Sequence, residues 1–208
     1  MKYPIGIQSF DRIIEDGYVY VDKTDMIYSL THEGSIYFLS RPRRFGKSLL
    51  VSTLENYFLG RRELFRGLAI EPLETEWAVY PVFHVDFNST NYTNPGELEK
   101  KINFHVSEWE KRYGLPCREN ELGTGDRFVE VLRAAHEQTG RRAVVLIDEY
   151  DKPILDVLDV DSTLEDRHRN VLKGFYSVFK AADRHLQFVL LTGVTKFSQV
   201  SVFSGFNQ

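Results

Sequence analysis

Only one cysteine, Cys117, occurs in the 208 residues, so an internal disulfide is excluded. Cys117 lies in a polar loop with no histidine nearby, and it reads as incidental. The six histidines, at 32, 84, 105, 136, 168 and 185, form no H-x-x-x-H or His/Cys pair, so no zinc site is expected. No apolar run approaches the ~20 residues of a membrane span. The opening Met1-Lys2-Tyr3-Pro4-Ile5-Gly6 lacks the apolar region of a signal peptide. A reducing, cytoplasmic setting without membrane contact is the expectation. Charge of one sign is also scarce: 26 basic against 30 acidic residues leave a net charge of −4, so nothing global points to a polyanion partner. Internal repeats and low-complexity linkers are absent too.

What the chain does have is apolar mass. Hydrophobic residues make up 42% and aromatics 13%, enough for a sizeable core in one large domain or two small ones.

The basic residues cluster at one place, Arg41-Pro42-Arg43-Arg44-Phe45-Gly46-Lys47-Ser48. The apolar run Ile36-Tyr37-Phe38-Leu39 precedes it. A helical pattern with Leu50, Leu54, Tyr57 and Phe58 on one face follows. The order is strand, loop, helix. The octet matches the phosphate-loop pattern G-x-x-x-x-G-K-S/T except at Arg41, which replaces the first glycine. Such a loop turns successive N–H groups inward, and the helix behind it adds its positive end. Gly46 allows close backbone approach, Lys47 can reach the outer phosphates, and the Ser48 hydroxyl can ligate Mg²⁺. An exposed basic loop capping an ordinary helix is the bland alternative.

Arg141 to Tyr150 adds a second signal. Ala143-Val144-Val145-Leu146-Ile147 reads as a central parallel strand covered on both faces. Asp148 and Glu149 close it, at the edge where open α/β sheets bind ligands. Asp148 suits Mg²⁺ held through water, and Glu149 suits orienting or deprotonating an attacking water.

In chain order, the pattern predicts a short helix at Phe10 to Glu15 and a strand at Tyr18 to Val21. A helix through Leu30 follows, with Asp22 or Thr24 as N-cap. The acid-rich turn there also allows a base or ribose contact, with capping the plainer reading. The helix from Lys47 should end at Phe58 before Gly60. A short helix at Arg62 to Phe65 and a strand at Pro81 to Phe87 come next. Leu98, Ile102, Val106, Trp109 and Tyr113 mark an amphipathic helix. Phe128, Val131, Leu132 and Ala135 mark another, closed by Gly140. Asp156 to Asp166 reads as an exposed loop. One helix carrying Val171, Leu172, Phe175, Phe179 and Ala182 leads to a last strand, Leu186 to Leu191. Polar residues after it, Thr195 and Lys196 among them, suit either a γ-phosphate contact or an ordinary loop. Strand–helix alternation argues for one α/β sheet. The chain stops at Gln208 soon after a strand and shows no helical lid, so the expectation is one domain over 1–208, an N-terminal fragment of a longer protein.

Four stretches together, Tyr20-Val21-Asp22-Lys23-Thr24, Phe38 to Ser48, Ile147 to Pro153 and Leu191 to Ser198, resemble the bacterial AAA-ATPase-like domain family, from Pro4 to Phe203. The resemblance implies an α/β P-loop NTPase three-layer sandwich with a mainly parallel central sheet. It implies that the Thr192 strand lies between the phosphate-loop strand and the Asp148 strand. Arg41 is part of the family's own form of the loop. Members often precede a PD-(D/E)xK nuclease-like domain. No such residue set occurs in this chain, so any nucleic-acid contact would run through an absent C-terminal effector domain.

The reading is an ATP-driven, slowly hydrolysing switch with ATP and Mg²⁺ as cofactors. Arg41, Arg43, Arg44, Phe45, Gly46, Lys47 and Ser48 hold phosphates, Ser48 and Asp148 hold the metal, and Glu149 with Lys47 carries the chemistry. Thr195 or Lys196 senses the γ-phosphate. Arg61, Arg62 and Arg184 are arginine-finger candidates. The alternatives are a non-hydrolysing nucleotide-binding scaffold or a small-molecule kinase. Oligomeric state leaves no mark separable from core pattern.

Overall fold

A computed structural model describes residues 1–119 and 121–195. The elements run α1 (Phe10–Glu15), α2 (Thr24–Glu33), β1 (Ile36–Ser40), α3 (Lys47–Phe58), β2 (Val82–Asp86), α4 (Glu97–Arg112), α5 (Thr124–Thr139), β3 (Ala143–Asp148), α6 (Lys152–Leu155), α7 (Ser162–Tyr176), α8 (Val178–Ala181) and β4 (Leu186–Gly193). Single 3₁₀ turns occupy Arg62–Phe65 and Asp183–His185.

The four strands form one parallel sheet in the order β1-β4-β3-β2. The strand ending in Thr192 therefore lies between the phosphate-loop strand and the Asp148 strand. Alternation within β3 explains its unbroken apolar run. Val145 and Ile147 face a core shared with α4, α5, α7 and α8, while Val144 and Leu146 face one shared with α1, α2 and α3. Every residue of β3 is buried. The result is three layers, helices on both faces of a parallel sheet.

The first core is aromatic at its centre. Phe128 stacks on Trp109 at 4.9 Å between ring centroids and on Phe175 at 5.4 Å. A charged group is buried beside it. Arg127 donates through Nε to Glu110 Oε1 at 2.8 Å and through Nη2 to Oε2 at 2.7 Å. Nη1 also donates to Asn103 and Nη2 to Ser107. The two side chains are 1% and 4% exposed, so α4 and α5 are joined by a buried, doubly bonded ion pair.

Four expectations need correction. Tyr18 to Val21 is not a strand, because no neighbour supplies a ladder: Val19 N donates to Lys2 O, and Tyr20 packs edge-on against Phe10. The residue at the N-cap of α2 is Lys23, and Asp22 Oδ1 accepts from Thr24 N and Oγ1. The stretch from Asp156 to Asp166 is not all loop, since Asp161 accepts from Leu164 N and starts α7 at Ser162. The long helix predicted before β4 breaks at Ser177, between α7 and α8.

Candidate functional site

The loop between β1 and α3 is anchored at its start by the sheet. Arg41 N donates to Gly193 O at 3.1 Å, extending the β1–β4 ladder by one bond. Ser40 Oγ donates to Val194 O. Beyond that point the loop stands clear: Arg41, Arg43 and Arg44 are exposed, and Phe45 is 69% exposed. Arg44 and Gly46 both take left-handed backbone conformations, at φ 67° and 76°. At Gly46 a Cβ would meet no protein atom within 4 Å, so within the protein itself the left-handed backbone is what calls for glycine.

Lys47 is the buried cation of the loop, 4% exposed. Its Nζ donates to Arg41 O at 3.2 Å and Pro42 O at 3.4 Å, and lies 3.4 Å from Glu149 Oε1. Two residues 102 positions apart (149 minus 47) thus meet in one cleft. Ser48 lines the same cleft from the first turn of α3.

Asp148 ends β3 and is buried. Its Oδ1 accepts from the Thr192 hydroxyl and, at 3.1 Å, from Glu149 N. Among the described residues no hydrogen bond engages its other oxygen. Glu149 has φ 56°, uncommon for a residue with a side chain. Such a conformation costs on the order of 1–3 kcal/mol and is held only by its surroundings. Here the surroundings are Thr192: its hydroxyl lies 3.4 Å from Glu149 N, and its carbonyl accepts from Tyr150 N at 2.8 Å.

The segment after β4 is tied to the same strand end. Asp151 Oδ2 accepts from Val194 N at 2.9 Å, Thr195 N at 2.7 Å and Thr195 Oγ1 at 2.8 Å. Tyr150 Oη donates to Thr195 O at 2.6 Å. A Cβ on Gly193 would sit 2.6 Å from Asp151 Oδ1 and 2.5 Å from a Tyr150 ring carbon, so only glycine lets the strands close here.

The cleft over the loop is about 960 Å³ and is lined by Arg43, Arg44, Lys47, Ser48, Glu149 and the Ile5–Gln8 segment. Lys47, Ser48, Asp148 and Glu149 are thus gathered at the C-terminal edge of the sheet. Thr195 gives its N–H and its hydroxyl to Asp151, and Lys196 lies outside the described residues. The finger candidates lie elsewhere. Arg61 and Arg62 follow the far end of α3, a 12-residue helix about 18 Å long. Arg184 precedes β4, at the opposite edge of the sheet. The acid-rich turn is structural: Asp22 Oδ2 accepts from Ala69 N and Thr24 Oγ1 from Ile70 N.

The sequence reading missed Thr192, Asp151 and the Ile5–Gln8 wall. Nothing in the sequence sets Thr192 beside Asp148; the register does, with Leu39 paired to Thr192 and Ile147 to Leu191. The Ile5–Gln8 segment carries no chemical signal of its own.

Residues 4–203 match a family described as "Predicted AAA-ATPase", and the chain belongs to that AAA-ATPase-like family. The chain is also 45% identical, over 208 residues, to "Uncharacterized protein in vnfD 5'region" of Azotobacter chroococcum mcd 1. That match covers 99% of this chain and 40% of the relative, so the chain spans about two fifths of its relative's length. No solved structure matches. Membership agrees with nucleotide binding in general terms.

Proposed function

We propose that the chain binds Mg²⁺-ATP in the cleft above Lys47 and hydrolyses it slowly, as a switch for a further part of a longer protein. The observation that carries the reading is the Lys47–Glu149 contact at 3.4 Å. It sets a phosphate-binding cation and a carboxylate able to order water in one place.

In the state described, the Lys47 ammonium is occupied by Glu149 and two loop carbonyls. Phosphate oxygens are stronger acceptors than carbonyls and would draw Nζ away from them. Glu149, released from Lys47, is then free to hold a water. The N–H groups at the start of α3 add the helix's positive end to the phosphate site. Ser48 and Asp148 are the residues that would hold Mg²⁺. Their donor set, one hydroxyl and one carboxylate oxygen, is all oxygen and suits a cation that keeps its waters and its phosphate ligands. No cluster of three or more His, Cys, Asp or Glu suited to a metal occurs among the described residues. Bound there, the ion would neutralise charge on the transferring phosphoryl group.

Glu149 beside Asp148 favours hydrolysis over a binding-only scaffold. The Asp151 clamp on Thr195 supports the switch reading, because it joins the metal-bearing strand to the segment leaving β4. The relative's greater length supports an effector beyond this chain, to which any nucleic-acid contact is assigned. A cytoplasmic setting, with Cys117 reduced, completes the proposal. No helix among the described residues is long and apolar enough to cross a membrane.

The test is phosphate release under saturating Mg²⁺-ATP. Glu149→Gln should bind ATP as the parent does and lose turnover by about 100-fold or more, the range for a positioned base. Parental turnover in that variant would remove Glu149 from the chemistry.

A further inference from the structure

Four cations line the cleft among the described residues: Arg43, Arg44, Lys47 and Lys152. The first three belong to the 41–48 loop. Lys152 alone comes from a different element, the turn that leaves β3 and starts α6. Its backbone N donates to Glu149 O at 3.0 Å, which ties it to the residue proposed to position water.

The Lys152 ammonium is held, but loosely. Nζ donates to Asp156 Oδ1 at 2.8 Å and to Oδ2 at 2.7 Å, at the end of α6. An ammonium has three donors, and among the described residues no acceptor takes the third. The two side chains are 17% and 19% exposed, against 4% for Lys47. An i,i+4 pair that water still reaches is a weak tie. Asp156 also has a second partner, because its Oδ2 accepts from Tyr92 N at 3.2 Å. With Lys152 gone, the carboxylate would keep that bond and its access to water. Exchanging Asp156 for a phosphate oxygen therefore strands no buried charge, which would be the costly case.

Charge decides what Lys152 would meet. Phosphoryl transfer leaves negative charge spread over the terminal phosphate, and a further cation placed there lowers the barrier. Arg61, Arg62 and Arg184 lie away from the cleft. We infer that Lys152 turns from Asp156 to the terminal phosphate of bound ATP and takes, within the same chain, the part of an arginine finger. A compact, mobile ammonium suits that exchange. In the step, the water oxygen bonds to the terminal phosphorus as the bond to the ADP oxygen breaks. The water's proton goes to Glu149, while Lys152 stays protonated and gives only a hydrogen bond. The inference rests on the Mg²⁺-ATP reading of the cleft and adds a catalytic residue to it. It also makes the Lys152–Asp156 pair respond to the nucleotide: with ADP there is no terminal phosphate to draw Lys152, and the pair stays closed.

The experiment measures phosphate release under saturating Mg²⁺-ATP, and calorimetric titration of Mg²⁺-ATP and of Mg²⁺-ADP, on the parent chain, Lys152→Met, Lys152→Gln and Lys152→Arg. Circular dichroism checks each fold. Glutamine can still donate to Asp156, so Lys152→Gln serves if methionine proves too disruptive. Both neutral variants should lose turnover by about 100-fold or more, the range for a group aimed at transition-state charge. They should weaken ATP by up to about tenfold and leave ADP unchanged, and Lys152→Arg should recover most of the turnover. Parental turnover with a parental ratio of ATP to ADP affinity in Lys152→Gln would overturn the inference and leave the cleft standing. Equal weakening of both nucleotides would make Lys152 a structural residue and overturn it too. Binding of neither nucleotide by the folded parent, or binding without phosphate release, would overturn the proposed function, and the inference with it.

Discussion

At the level of single residues, the site is built from groups that restrain one another before any ligand arrives. Thr192 holds Asp148 by a hydroxyl and Glu149 by its position under a left-handed backbone. Lys47 holds the Glu149 carboxylate. Each restraint lowers the disorder that binding would otherwise have to remove. Elsewhere, single residues set the response to acid. Burial, then the positive charge of Lys101 and of His84, pushes the His105 imidazole down to about 4 from an ordinary 6.5. Its folded-state pKa is depressed, so the unfolded chain binds the extra proton first. The stability it supports is complete above about pH 6.5 and is lost as the pH falls toward about 4. His105→Phe, which keeps a ring against Trp109, should lose less stability between pH 7 and pH 5 than the parent does. Urea denaturation at the two pH values measures this. An equal loss in both would show that His105 ionises as freely in the folded chain as in the unfolded one.

At the level of elements, the joint between α4 and α5 carries the largest single electrostatic commitment. Arg127 and Glu110 are both buried and bonded twice to each other. Arg127→Met would leave the Glu110 carboxylate buried without its partner, at a cost of about 3–5 kcal/mol. Arg127→Met combined with Glu110→Leu should recover most of that loss, because the pair as a whole contributes little beyond what apolar packing would supply. Chemical denaturation of the single and double variants decides it. A double variant as unstable as the single one would mean that Asn103 and Ser107, left without their donor, carry the cost instead.

The elements also show which features could be read in the sequence. Strands β1, β3 and β4 and helices α3, α4 and α5 were legible, because each buries one face or both and so repeats its apolar residues at a fixed spacing. Tyr18 to Val21 has the composition of a strand and no partner to make it one. The break at Ser177 was invisible because Val171, Phe175 and Phe179 keep helical spacing across it. In the candidate site, the motif pattern picked out Lys47, Ser48 and Glu149 as residues that would come together, and the fold sets them in one cleft. Thr192 and Asp151 were not picked out. Their roles arise from contacts between β3 and β4, 43 or 44 residues apart in sequence.

At the level of the whole molecule, the parallel sheet brings three chain segments to one edge. β1 delivers the 41–48 loop, β3 the acidic pair, and β4 the threonine that braces them. The central strands are covered on both faces, while β1 is only half-buried along its length. The nucleotide reading therefore puts the ligand's chemistry at the covered middle of the sheet.

In the proposed function, nucleotide binding turns on Lys47. The most direct measurement is a calorimetric titration of Mg²⁺-ATP into the parent chain and into Lys47→Ala, with both shown folded by circular dichroism. Saturable binding is expected for the parent and a loss of at least about 100-fold for the variant, as when a buried charge-assisted contact to phosphate is removed. Undiminished binding by folded Lys47→Ala, or no binding by the folded parent, would contradict it.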